Sequence, residues 1–166
     1  MGKMHWIIIL LLTTLASACK QGYDDNKQTN AEKLVGTWRL VEYADYDSTT
    51  GKWNQLYGEH PKGYFTYTKN GIVNINGSAE NYLPITEDSA YQQHITIGAL
   101  LDNAWGYFGT YTIDEENSIV THHPTGGSIP WYIGTDQHRQ FIIKGDSLFI
   151  GDPTFKIGKR VLIREE

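Results

Sequence analysis

The chain has 166 residues, about one domain's worth. Its net charge of −5 and isoelectric point near 5.6 give no support to nucleic-acid binding, and its one cysteine, Cys19, excludes an internal disulfide. Aromatic residues make up 13 %, charged residues only 20 %, and there are 17 Gly, a balance that favours strands joined by tight turns over helices.

Lys3 and His5 precede the apolar run Trp6 to Leu15, followed by Ala16-Ser17-Ala18-Cys19. A basic start, a short apolar stretch and small residues are the order of a signal peptide. The run falls short of the roughly 20 residues a permanent membrane-spanning helix needs. Small residues directly before a cysteine resemble the lipobox of bacterial lipoproteins, with Ala16 where Leu is commoner. That resemblance implies a lipoprotein signal peptide over 1–18, cleavage before Cys19, and acyl chains such as palmitate on that residue. More than one chain matters, because a single one gives only marginal membrane binding.

Residues 19–33 are polar, nearly free of aliphatic side chains and without a period, which predicts a flexible tether. Lys20 follows the cysteine where an inner-membrane retention signal prefers Asp, and Asp24-Asp25 resemble surface-export tethers. The expected address is the bacterial cell envelope, lipid-anchored at the outer membrane.

The domain proper is expected over 34–166 and begins with Leu34-Val35-Gly36-Thr37-Trp38-Arg39-Leu40. Gly36 permits close backbone approach, and Trp38 brings a large apolar area with an N–H that needs a partner. The pair reads as a plug for one end of a barrel. Strands are predicted at Trp38 to Tyr46 and Trp53 to Tyr57, then at 64–68 and 72–76 around the Asn70-Gly71 hairpin turn. Ile97, Leu100, Leu101 and Ala104 form a helical stripe with Thr96 as N-cap, so a short helix is expected near 96–104. Further strands are predicted at 107–113, 118–123, 137–143, 147–150 and 159–164. About eight to nine strands with one short helix give an all-β fold, an up-and-down antiparallel barrel.

These pieces in this order resemble the lipocalin-like domain family of the calycin superfamily. The matching stretches are Leu34 to Leu40, Pro61-Lys62-Gly63-Tyr64 through Asn70-Gly71, Gly106 to Asp114, Val120-Thr121-His122-His123, Gly134 to Arg139, Gly145-Asp146-Ser147-Leu148 and, near the end, Arg164. Ile163 stands where an aromatic is frequent. The resemblance implies a closed barrel with an internal cavity. It also implies structural roles for Gly36, Trp38 and Arg164, with the Arg164 guanidinium packed on the Trp38 indole and Arg160 as second choice.

Tyr64, Tyr67, Tyr107, Tyr111 and Trp131 are candidates to line such a cavity, because each joins an apolar body to a polar tip. Gly109 between Tyr107 and Tyr111 reads as a gap that makes room for a ligand. His122 and His123 point to opposite faces of a strand, so they cannot share one metal ion, and one of them is expected to face the cavity; His122 is the candidate. Arg139 could grip a ligand carboxylate or pair with Asp136 to fix a loop. Gly126-Gly127-Ser128-Ile129-Pro130 begins like a nucleophile elbow but does not sit between strand and helix. No cofactor, no metal and no catalytic residue is expected. The expected function is binding of a small apolar or amphipathic molecule in the barrel. The alternatives are an isomerase or cyclase of the same fold and a surface module contacting glycans or another envelope protein.

Overall fold

The computed structural model describes residues 28–83, 95–152 and 156–165. Cys19, the stretch expected to be a signal peptide and most of the stretch expected to be a tether lie outside the described residues. Nine antiparallel strands are present among them: β1 Gly36–Asp47, β2 Lys52–Asn54, β3 Lys62–Tyr67, β4 Ile72–Ser78, β5 Ala104–Asp114, β6 Ile119–Gly127, β7 Gln137–Lys144, β8 Ser147–Gly151 and β9 Gly158–Arg164. Each of β3 to β9 pairs with its sequence neighbour, and β1 pairs with both β3 and β9. That closes an eight-stranded up-and-down barrel, with β2 as an extra strand folded back on β1. Full closure leaves the barrel itself no open edge.

Period-2 patterning sets which residues face inward. In β4, Val73, Ile75 and Gly77 are buried while Ile72, Asn74 and Asn76 are exposed. β3 places Phe65 and Tyr67 inside and Tyr64 outside. The core joins these to Trp38, Leu40, Val120, Phe141, Leu148, Ile150 and Leu162. Each such side chain contributes about 1.5–3 kcal/mol on burial. In the turn between β3 and β4, Gly71 adopts a left-handed conformation (φ 81°), and the Thr68 N–H donates to the Ile72 carbonyl at 2.9 Å.

Among the described residues two α-helices frame the barrel rather than one. α1, Asn30–Leu34, begins inside the stretch expected to be tether, because Thr29 and Glu32 form a reciprocal capping box that stabilises a short turn. α2, Ile97–Asn103, is capped by Thr96, whose side chain accepts from the Ala99 N–H at 3.1 Å. Of its apolar stripe only Leu101 packs on the core; Ile97 and Leu100 are exposed. A 3-10 turn, Pro130–Tyr132, follows β6.

α1 closes one end. The Trp38 indole N–H donates to the Leu34 carbonyl at 2.8 Å, and the Ala31 N–H donates to Glu115 in the β5–β6 turn at 2.7 Å. The Arg164 guanidinium lies 4.1 Å over the Trp38 ring and donates to the backbone carbonyls of Val35 (3.0 Å) and Lys33. Gly36 has φ +140°, and a Cβ there would stand 2.5 Å from Arg164 Nη1. Only glycine fits both the conformation and the approach. Arg160 does not share this contact; it stacks 3.4 Å over Tyr43 further along β9.

A candidate ligand cavity in the barrel

Beyond the plug the interior opens into a cavity of about 510 Å³. That lies within the 300–1,000 Å³ typical of ligand pockets. Phe65, Trp105, Tyr107, Ile129 and Ile150 supply apolar wall, and His122, Arg139 and Arg160 supply polar groups. The polar residues come from β6, β7 and β9, where strand parity turns them inward.

At the centre is His122, 1 % exposed. Its Nε2 lies 3.0 Å from the Tyr67 hydroxyl and its Nδ1 lies 2.8 Å from the Tyr107 hydroxyl. Burial, reinforced by the charges of Arg139 and His123, pushes the His122 pKa down from 6.5 to about 3. Burial pushes both phenols well above their usual value, against the opposing pull of Arg139 on each. The imidazole is therefore neutral at physiological pH and held as a hydrogen-bonding group. A neutral imidazole can accept at one ring nitrogen and donate at the other, as the two phenol contacts require.

The two arginines of the cavity differ. Arg160 is compensated, with Nη1 2.7 Å from Asp45 Oδ1 and 3.1 Å from the Ala44 carbonyl. Arg139 donates to the His138 carbonyl at 2.8 Å and to Gln137 Oε1 at 3.1 Å, and its guanidinium sits 5.9 Å over the Tyr132 ring. It has no carboxylate partner among the described residues. The expected pairing with Asp136 does not form, because Asp136 binds the outward-facing His123 at 2.7 Å.

Several sequence-derived candidates lie away from this cavity. Tyr64 is 44 % exposed and borders a shallow cleft on the outer wall, since its parity is opposite to that of Tyr67. Trp131 is 61 % exposed; the 3-10 turn directs its neighbour Tyr132 into the cavity instead. Tyr111 is inward and half-buried but does not border the cavity; it packs edge-on to Tyr67 at 5.2 Å and donates to the Thr68 carbonyl at 2.8 Å. Tyr67 lies behind His122 rather than on the cavity wall. Gly109 leaves no gap: a bulge between Phe108 and Gly109 brings the β6 backbone so close that a Cβ would meet the His123 carbonyl oxygen at 2.1 Å. Ser128, in the elbow-like stretch, accepts from the Gly106 N–H at 3.0 Å and has a structural role.

Sequence reasoning missed Tyr43, Tyr57, Trp105, Tyr132 and Arg160 as cavity residues. Trp105 was legible by parity with Tyr107 had β5 been extended to Ala104. Its indole N–H is buried without a partner among the described residues and lies against Gly77, where a Cβ would come within 2.9 Å of Nε1.

The lipocalin-like domain model matches residues 35–159, most of the chain. The protein belongs to the lipocalin-like domain family. No curated protein matches the chain. Membership fits the closed eight-stranded barrel, a ligand-binding type of domain; an interior of this strand number is either filled by side chains or wide enough for one small ligand.

Proposed function

We propose that this lipocalin-like protein binds a small apolar or amphipathic molecule in its barrel cavity while anchored to the bacterial envelope through lipid on Cys19. The observation that carries the binding reading is a cavity of about 510 Å³ whose aromatic and aliphatic wall surrounds a few fixed polar groups. A filled interior would have favoured a surface module. An isomerase or cyclase would need convergent polar groups, which are present, and a proton-exchanging group; burial holds His122 in its neutral form, which favours the binding reading.

Native mass spectrometry of the full protein, purified from its own host and released from detergent, tests the binding reading. A bound mass separate from the acyl anchor is expected. A protein that carries none, and takes up none when offered a series of alkyl alcohols and acids, contradicts it. The anchor rests on Ala16-Ser17-Ala18-Cys19. Labelled palmitate should enter the wild-type protein and not Cys19→Ala; equal labelling removes the anchor from the account.

A further inference from the structure

Protons can be counted in the cluster at the cavity wall. Neutral His122 has one N–H donor and one bare ring nitrogen, while Tyr67 and Tyr107 each bring one O–H. Three protons therefore serve two contacts, His122 Nε2 to Tyr67 and His122 Nδ1 to Tyr107. One phenol must accept from the imidazole, and its own O–H has no protein acceptor among the described residues. Tyr67 is 1 % exposed and lies behind the wall, whereas Tyr107 borders the cavity. A buried donor without an acceptor costs about 1–3 kcal/mol, so the spare O–H belongs on the cavity side. Tyr67 donates to Nε2, Nδ1–H donates to Tyr107, and the Tyr107 O–H points to whatever fills the cavity.

Arg139 stands in the same part of the wall. Its guanidinium covers the Tyr132 ring at 5.9 Å, and that ring meets the Tyr107 ring edge-on at 5.7 Å. Two of its N–H groups are used by neutral acceptors, and the rest, Nε–H among them, have no protein acceptor among the described residues. Its charge is felt by Tyr67, Tyr107 and His122 alike. The other cavity cation, Arg160, is already neutralised by Asp45.

We propose that the bound molecule carries a carboxylate, gripped by Arg139 and accepting the spare Tyr107 O–H, with its apolar body against Phe65, Trp105 and Ile150. This rests on the reading that the cavity binds a small molecule. Two carboxylates also line the cavity: Asp45 pairs with Arg160, and Asp152 accepts from the Ile157 and Gly158 N–H groups, so Arg139 is the lining cation that touches no carboxylate among the described residues, and its guanidinium fork fits a planar carboxylate. The partner is thus an acidic amphiphile rather than a neutral lipid.

Equilibrium dialysis of octanoate and octanol against the full-length protein in non-ionic detergent, with protein-free micelles as blank, tests this. Hydrogen bonds to charged groups are worth about 1.5–3 kcal/mol, so wild type should bind octanoate at least about tenfold more tightly than octanol. Arg139→Gln should erase that preference. Arg139→Lys, which keeps charge without the fork, should retain part of it. Tyr107→Phe should weaken octanoate by a smaller factor than Arg139→Gln does. Thermal melts identify which variants are folded, and Arg139→Lys decides the matter if Arg139→Gln is not. Equal binding of both probes by wild type, or a preference that survives in folded Arg139→Gln, overturns the head-group assignment alone. Binding of neither probe overturns the cavity-binding reading together with it.

Discussion

Arg164 and Arg139 both project into the barrel, one at its plugged end and one in its cavity. Arg164 is consumed by the fold: its face covers Trp38, and its donors go to the carbonyls of Lys33 and Val35. Those carbonyls flank Leu34, the last residue of α1, so the guanidinium ties the helix, the start of β1 and the end of β9 together. Arg139 has the same chemistry, but among the described residues part of its donor set is unused and no carboxylate pairs with it. One cation completes the structure, and the other leaves a charge for something outside the chain to complete. The packing around them differs in the same sense. The plug is filled by Leu34, Trp38 and Leu162, each essentially inaccessible, while the wall beside Arg139 borders about 510 Å³ of open space.

The largest effect belongs to the plug. Trp38→Ala should destabilise the protein by about 3–5 kcal/mol, as buried aromatics cut to Ala do. Arg164→Ala should cost less, and the double variant less than the sum, because the second change removes a contact already lost. Urea melts measure all three, and strict additivity would break the comparison by showing that ring and guanidinium do not support one another.

A smaller effect, graded by pH, belongs to the cavity. The unfolded chain protonates His122 near 6.5, while the folded chain resists until about 3. The unfolded state thus binds more protons in that window, and stability rises with pH across it. This contribution is fully present above 6.5 and falls by about 1.4 kcal/mol per pH unit as the solution is acidified towards 3. Asp47 and Asp114 have carboxyl pKa values lowered by hydrogen bonds, from Thr50 and Thr49 and from Asn117 respectively, and they add a loss in the same direction only below their usual 3.8. Urea midpoints of wild type and His122→Phe, compared between about pH 6 and pH 4, should diverge in slope by that amount. Parallel profiles would mean that His122 is not held neutral.

The smallest effect is expected at Tyr64. Tyr64→Ala alters the outer wall only, so stability should move by no more than about 0.5 kcal/mol and octanoate affinity not at all. A loss of binding there would shift the site from the interior to the outer cleft.

Tyr64 also shows what the sequence made legible. Alternation in β3 and β4 determined which face is buried, and parity alone separates Tyr64 from Tyr67. The contact of Arg164 with Trp38 beside Gly36 was readable through the resemblance to the lipocalin-like family, which implied it, and the structure forms it. The cavity was less legible for three reasons. The 3-10 turn at Pro130–Tyr132 breaks the two-residue period, so nothing local indicated that Tyr132 rather than Trp131 turns inward. The bulge at Gly109 uses glycine for backbone approach, which resembles a gap until the β6 carbonyl is seen in it. Arg139 and Arg160 look alike in sequence, and only the placement of Asp45 tells which one is neutralised.

A crystal structure of the protein grown with an octanoate brominated at its far end bears most directly on whether the cavity is the binding site. The bromine should give an anomalous peak inside the barrel, with the carboxylate within hydrogen-bond distance of Arg139 and the Tyr107 hydroxyl. A bromine peak confined to the outer wall, beside Tyr64, would contradict the account.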